Sequence, residues 1–516
     1  MMEIGFWNHA RQNPDALAVV DPDGTEYSAG EILAAANRVT HGLRALGLKP
    51  GDTVAVMLPN GHEVLEIFMA VAQAGFFVTP LNWHLTAPEV AYILEDSGAK
   101  AFVASGRFHA VAERGAYIAG LSNNACFAVG EISGFRPYAA LGWDQPETTP
   151  ANRAAGGPMT YTSGTTGKPK GVRRDTVSVA PETISTQQAL FLGLFGILPG
   201  SAGVHLVVAP LYHTAVLNFA TNHMHLGHTA VLMDRWTPEE MLRVVERYRV
   251  TSSHMVPTHF IRLLKLAPEI KAAHDLSSLS HIVHSAAPCP VDTKQAMLDW
   301  WGPCIYEYYA ASEGGGTLAT PADWLAHPGT VGKPWPISQI RVLDDEGEPC
   351  PTGEPGTVWI RMGEHRFEYH KDATKTGKAW RDGFFTVGDA GYLDGDGFLY
   401  LCDRKADMII SGGVNIYPAE IESVLVLHDK VTDVAVFGIP HDDLGEEVKA
   451  VIQPADGVAP SAALAEELLA YAAEALAKYK LPRSIDFAVE LPRDPSGKLY
   501  KRKLRDPYWE GRTRAI

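Results

Sequence analysis

The chain has 516 residues, 46% of them hydrophobic and 20% charged, and carries a formal net charge of −16. That length exceeds what one hydrophobic core serves, so two or more domains are expected in a soluble globular protein of ordinary composition. The acidic balance argues against nucleic acid or an anionic membrane as the main partner, and no apolar run reaches the roughly 18 residues of a membrane-spanning helix.

The five cysteines, Cys126, Cys289, Cys304, Cys350 and Cys402, are scattered, odd in number and without metal-ligand spacing. They fit a reducing cytoplasm better than a disulfide framework. The opening residues lack a basic segment followed by an apolar core, so no secretory signal is expected.

Along the first 150 residues, helical and strand patterns alternate. Ser28 precedes a stretch with apolar residues at helical spacing that closes at Gly47 and Pro50. Asp52 to Leu58 reads as a strand, Val64 to Gly75 as a helix, and Phe76 to Pro80 as a second apolar strand. Such alternation implies an α/β fold of layered subdomains with buried strands. Asp144 to Pro158 reads as a Pro/Gly/polar linker.

That linker delivers the chain to Tyr161–Arg174, YTSGTTGKPKGVRR. Between Thr162 and Gly171 it gathers three hydroxyls (Ser163, Thr165, Thr166), three glycines (Gly164, Gly167, Gly171) and two lysines (Lys168, Lys170). Glycines admit close backbone approach, hydroxyls donate, and lysines supply positive charge, a combination suited to a polyphosphate. It is not the common G-x-x-x-x-G-K-[ST] nucleotide loop, because Pro169 stands where the second glycine belongs. The alternative reading is a mobile polar loop between two strands.

Further on, Val204 to Ala209 reads as a buried strand ending in Pro210-Leu211-Tyr212-His213. A helix over Pro238–Tyr248, a strand over Thr251–Val256 and a strand over His281–His284 follow, the last leading into Ser285-Ala286-Ala287. Tyr306 to Gly316 starts extended and ends in a glycine loop, and Gly329 to Tyr400 reads as a β-rich subdomain of short strands. After Asp403–Asp407 come the loop Ser411-Gly412-Gly413, a helix over Pro418–Leu427, strands over Val434–Ile439 and Val448–Gln453, and a helix over Ser461–Lys478. From Lys478 to Arg514 there are 11 Lys/Arg against 5 Asp/Glu, either a solvated face or a docking face for phosphates.

The Tyr161–Arg174 stretch resembles the signature loop of the adenylate-forming superfamily: acyl-CoA synthetases, peptide-synthetase adenylation domains and luciferases. The order of the later motifs extends the resemblance over essentially the whole chain, nearest to the acyl-CoA synthetases. It implies that Thr162, Ser163, Gly164, Thr165, Thr166, Gly167 and Lys168 bind the phosphates of ATP. Tyr309-Ala310-Ala311-Ser312-Glu313 resembles the family's Tyr-x-x-Thr-Glu element. Tyr309 would then stack on adenine, Ser312 donate to phosphate, and Glu313 hold Mg²⁺, which favours carboxylate oxygens. Thr386-Val387-Gly388-Asp389 is similar to the Thr-Gly-Asp element, making Asp389 the ribose carboxylate, with Arg404 on the ribose and phosphate side. Pro495-Ser496-Gly497-Lys498 resembles the Pro-x-Gly-Lys element, whose lysine offsets the repulsion between the acid's carboxylate and the α-phosphate. Lys498 and Glu313 are thus the catalytic candidates.

His213 matches an aromatic-His element beside the family's acyl site and is read as a wall or gate, since the nucleophile is a carboxylate already ionised. Ala215, Leu217, Ala286, Ala287 and Ala310 complete the implied acyl pocket, whose small side chains leave room for a bulky hydrophobic acid (fatty, aryl or polycyclic). Ser411, Gly412 and Gly413 match the loop lining the pantetheine tunnel for coenzyme A. The implied domains are 1–403, holding the ATP and acyl sites, a hinge at 404–407 with Ala406 at its centre, and a small mobile α+β domain at 408–516. The expected activity is an AMP-forming acid–thiol ligase acting in the cytoplasm on a carboxylic acid, ATP and CoA, with no integral membrane contact and a homodimer as an allowed state. A standalone enzyme loading a carrier-protein pantetheine, and a non-catalytic nucleotide-binding homologue, are the alternatives. No carrier domain follows the Lys498 element, which favours free CoA.

Overall fold

The computed structural model describes residues 4–162, 170–173, 179–200, 202–311, 314–363, 367–369, 373–404, 407–493 and 499–510. The chain is mixed α/β and divides into two compact units, Met1–Met255 with Leu266–Val283 and His365–Lys378, and Val256–Lys265 with His284–Glu364 and Ala379–Ile516.

The first unit holds a six-stranded, wholly parallel sheet in the order Arg136–Pro137, Cys126–Val129, Ala99–Ser105, Thr53–Met57, Phe77–Pro80, Gly157–Pro158. Every residue of the central strand Thr53–Met57 is buried, as a strand covered on both faces requires. Helix Ala29–Ala45 starts where a capping box starts it. Glu31 donates its N–H to Ser28 Oγ, and Ser28 donates its N–H to the Glu31 carboxylate. Helix His62–Ala74 packs its apolar residues on the same core and stops at Gly75, whose φ of 74° places it in the left-handed region. The segment expected to be a linker is partly built into the sheet, since Gly157–Pro158 pairs in parallel with Phe77 and Val78.

A second sheet of this unit runs His281–His284, Ser252–Met255, Val204–Val207, Thr229–Leu232, Leu17–Val20, Glu26–Ser28. Behind it lies a buried histidine network. His205 Nδ1 and His223 Nε2 lie 3.0 and 3.2 Å from Ser252 Oγ, and His223 Nδ1 lies 2.8 Å from His228 Nδ1. His205 and His223 stack with ring centroids 4.2 Å apart. Elsewhere in the unit, Phe6 donates its N–H to His225 Nδ1.

The second unit contains three antiparallel assemblies. Strands Ile305–Ala310, Gly316–Ala319 and Lys333–Pro334 form the first. Gly356–Met362 is central to the next, pairing with Ser338–Leu343, Phe384–Phe385 and Asp389–Leu393, and the last of these pairs with Leu399–Arg404. The expected β-rich region is therefore present in these strands. In the third assembly, Val431–His441 and Gly445–Pro454 form a long hairpin that extends the two expected strands at both ends. Helices Pro418–Leu425 and Ala462–Ala475 cover it through Ile421, Leu425, Leu464, Leu468 and Ala472. Ser461 caps the latter helix by accepting the Leu464 N–H.

Burial lowers the pKa of His205 and of His225 to about 3, with neighbouring histidines adding to the shift. The unfolded chain takes up protons near pH 6.5 that the folded chain refuses, so stability is full above that pH and falls on acidification. Each such histidine removes about 2 kcal/mol by pH 5. Denaturant unfolding at about pH 7.5 and about pH 5 should show this loss, and equal stabilities would contradict neutral burial.

Candidate active site

In the second unit, two of the nucleotide candidates meet directly. Tyr309 lies near the end of strand Ile305–Ala310, and its hydroxyl donates to Asp389 Oδ2 at 2.7 Å. Asp389 opens strand Asp389–Leu393 and stands opposite Arg404 in the antiparallel register. Thus an aromatic ring, a carboxylate and an arginine position converge from three strands.

Local backbone chemistry explains why Asp389 sits there. Thr386 Oγ1 donates to the Val358 carbonyl and accepts the Gly388 N–H, closing a tight turn. Gly388, at φ 86°, supplies the left-handed residue that this turn needs. Asp389 follows immediately and is thereby aimed toward Tyr309. Thr386, the first residue of the Thr-Val-Gly-Asp element, was given no role of its own in the sequence, yet it builds the turn. The signal was a hydroxyl two residues before a glycine, a common side-chain-to-backbone turn.

The glycine loop after Tyr309 has a similar logic. Gly316 pairs with Ala310, and a Cβ at Gly316 would lie 2.1 Å from the Tyr309 carbonyl oxygen. Only glycine allows the two strands to approach there.

In the first unit, Thr160–Thr162 and Lys170–Arg173 are antiparallel neighbours, with Thr162 opposite Lys170 and Gly171 opposite Tyr161. These two strands form the arms of an antiparallel pair with Thr162 and Lys170 side by side at its end. Tyr161 Oη donates to Asp96 Oδ2 at 2.7 Å, tying that arm to helix Ala87–Asp96. Ser163, Gly164, Thr165, Thr166, Gly167 and Lys168 lie outside the described residues, as do Ser312, Glu313, Ala406 and Lys498.

The acyl-pocket candidates fall in both units. In the first, His213 is the N-cap residue of helix Thr214–His225, and its ring centroid is 4.2 Å from that of Tyr212. Tyr212 in turn meets Trp83 edge-on at 4.7 Å. Ala215 is half-buried, whereas Leu217 is buried in the main core. In the second unit, Ala286 is exposed with φ 75°, Ala287 is half-buried, and Ala310 is the last residue of its strand. A non-glycine residue at positive φ is strained, which marks the Ala286 turn for attention.

Ser411, Gly412 and Gly413 form the tip of a hairpin. Ser411 pairs with Val414, and the two intervening glycines have φ of 58° and 80°, the signature of a type I′ turn. Both glycines are exposed, and the Gly412 N–H is donated to the Leu444 carbonyl at 2.9 Å, which ties the tip to the residue before strand Gly445–Pro454.

Two further groups of charged residues escaped sequence reading. Asp21, His62 and Glu63 could each offer one metal-ligand atom, but Asp21 already accepts from the His62 backbone N–H at 2.8 Å and faces His62 Nδ1 at 2.6 Å. The other is a buried trio, Lys294, Glu307 and His284. Its signal was a lysine within the apolar stripe that continues to Met297 and Leu298, the spacing of one helix face.

Residues 6–366 match the AMP-binding enzyme family, and residues 420–498 match the AMP-binding enzyme C-terminal domain. A feruloyl-CoA synthase of Amycolatopsis sp is 34% identical over 517 residues, covering 97% of this chain and 98% of its own. A fatty acid–[acyl-carrier-protein] ligase of Streptomyces coeruleorubidus is 32% identical, covering 98% and 96%. Among solved structures, the o-succinylbenzoate CoA synthetase of Bacillus subtilis in complex with its acyl-adenylate intermediate superposes with a TM-score of 0.80 at 28% identity, covering 98% of each chain. The family matches fall in both compact units and the relatives align over nearly the whole chain, and the chain belongs to the AMP-binding enzymes of the adenylate-forming superfamily.

Proposed function

We propose that this chain is an ATP-dependent acyl-CoA ligase for a hydrophobic, bulky carboxylic acid of the fatty, aryl or polycyclic kind. The acid's carboxylate attacks the α-phosphorus of ATP, giving an acyl-adenylate and pyrophosphate. The thiol of CoA then attacks the acyl carbon, giving the thioester and AMP. The observation that carries this reading is the hydrogen bond from Tyr309 to Asp389, with Arg404 as cross-strand neighbour. A half-buried aromatic ring next to a carboxylate offers a planar base a stacking face and offers vicinal ribose hydroxyls an acceptor.

The remaining roles follow the motifs. The 163–168 loop takes the ATP phosphates, Glu313 is the carboxylate for Mg²⁺, and Lys498 is the ammonium between the acid and the α-phosphate. His213, Ala215, Leu217, Ala286, Ala287 and Ala310 bound the acyl chain. The exposed Gly412-Gly413 turn receives the pantetheine of CoA. Residues 408–516 rotate about a hinge at 404–407, presenting Lys498 for adenylation and the glycine turn for thioester formation. The likeness to a fatty acid–[acyl-carrier-protein] ligase favours one second reading, in which a carrier-bound pantetheine replaces free CoA.

The decisive experiment is AMP release across a panel of carboxylic acids, with CoA, with a holo-carrier protein, or with neither. CoA-dependent release with bulky apolar acids is expected. Release only with the carrier would select the second reading, and no acid-dependent release would defeat both. Asp389→Asn keeps the shape but weakens the acceptor, and it should raise the KM for ATP on the order of tenfold, about 1.4 kcal/mol, with the KM for the acid little changed. Lys498→Ala should lose adenylate formation yet still transfer the acyl group from a supplied acyl-adenylate to CoA. Equal loss of both half-reactions in a folded variant would rule out a division of labour between two faces of the C-terminal domain.

A further inference from the structure

Lys294 projects from helix Val291–Trp301 and is 0% exposed. Its Nζ donates to Glu307 Oε2 at 2.7 Å and lies 4.9 Å from the Trp324 ring centroid. The same carboxylate oxygen is 3.4 Å from Nε2 of His284, which is also fully buried. His284 Nδ1 has no hydrogen-bond partner among the described residues, and Phe260 packs edge-on against the ring at 5.2 Å. Burial alone would raise the Glu307 carboxyl, but the Lys294 ammonium and His284 outweigh it and hold it below the ordinary carboxylate range.

A buried ion pair is a poor way to gain stability, because desolvation of both charges offsets their attraction, and apolar replacements of similar volume often do as well. What such a pair does provide is one register between the elements that carry it. Those elements are not arbitrary here. Glu307 is two residues before Tyr309 on the same strand, so both side chains leave the same face. His284 immediately precedes Ser285 and the strained Ala286, and Tyr308, next to Glu307, hydrogen-bonds Ser285. The strand bearing Tyr309 is therefore tied to the helix by Lys294, to His284 by Glu307, and to the following turn at Ser285 by Tyr308.

We propose that Lys294, Glu307 and His284 are positioning residues that set the place of Tyr309 in the nucleotide site. The trio fixes the strand along its axis, so that the Tyr309 ring is held at the distance from which its hydroxyl reaches Asp389. None of the three needs to touch the nucleotide. The inference rests on the reading of Tyr309 and Asp389 as the adenosine site.

The test compares the full-length wild type, Asp389→Asn and the double variant Lys294→Met with Glu307→Met, each for thermal stability and for affinity toward AMP. Methionine approximates both side chains in length and leaves no unpaired charge. The double variant should melt at or above the wild-type temperature and yet bind AMP on the order of tenfold more weakly. Wild-type AMP affinity in the folded double variant would overturn the positioning role while leaving the nucleotide reading intact. Failure of the wild type to bind AMP, or binding unaffected by Asp389→Asn, would remove the nucleotide reading and the inference with it. Should the double variant not fold, Glu307→Gln, which keeps an oxygen for Lys294, is measured in the same way. Unfolding of that variant too would make the trio a folding requirement and overturn the proposal.

Discussion

The 2.7 Å hydrogen bond between Tyr309 and Asp389 is a constraint on backbone as much as a contact between side chains. A bond to an ionised carboxylate contributes about 1.5–3 kcal/mol, but only when both groups are already aimed. Tyr309 is aimed by a strand that glycine at 316 allows to lie close. Asp389 is aimed by the Thr386–Gly388 turn, and Arg404 is set opposite it by the register of the next strand. Each of these devices costs conformational freedom before any ligand arrives, which is what preorganisation would mean for the proposed nucleotide site.

Much of this was legible in the sequence because local chemistry and global fold agree. The Ser28–Glu31 capping box, the apolar run at Thr53–Met57 and the terminating Gly75 each state their own structure. The Gly412-Gly413 pair likewise specifies a hairpin tip that the structure forms. Boundaries were less legible where pairing decides them. Val431–His441 and Gly445–Pro454 run beyond their apolar centres because cross-strand bonds continue through Pro440 and Glu446. Gly157–Pro158 looks like linker and becomes an edge strand, since a parallel neighbour supplies the pattern that two residues cannot show.

Buried charge was the least legible feature. A lysine at 294 is unremarkable as a letter, because the reference state of lysine is solvent. Its burial depends on Glu307, thirteen residues away on another element, and on Trp324 and His284 around it. No periodicity announces such a partner. Histidines behave in the same way. His205, His223 and His228 are scattered letters in sequence, and only the packing of two strands against a helix makes them one network.

The basic run from Lys478 to Arg514 shows how the two readings of one composition divide. Several of its cations are spent on structure within the second unit. Lys480 pairs with Glu420, Arg493 with Asp433, Lys501 with Glu422, and Arg505 with Asp407. Burial opposes the charge on Lys501, but Glu422 and nearby aspartates outweigh it and raise its pKa. These pairs neutralise four of the run's eleven cations and so weaken a diffuse attraction for phosphate. They also bracket one position. Lys498 lies five residues after Arg493, bound through Nε and Nη2 to the Asp433 carboxylate, and three residues before half-buried Lys501. Composition alone therefore does not separate a solvated or docking face from a scaffold, whereas the ion pairs show which cations the fold already uses.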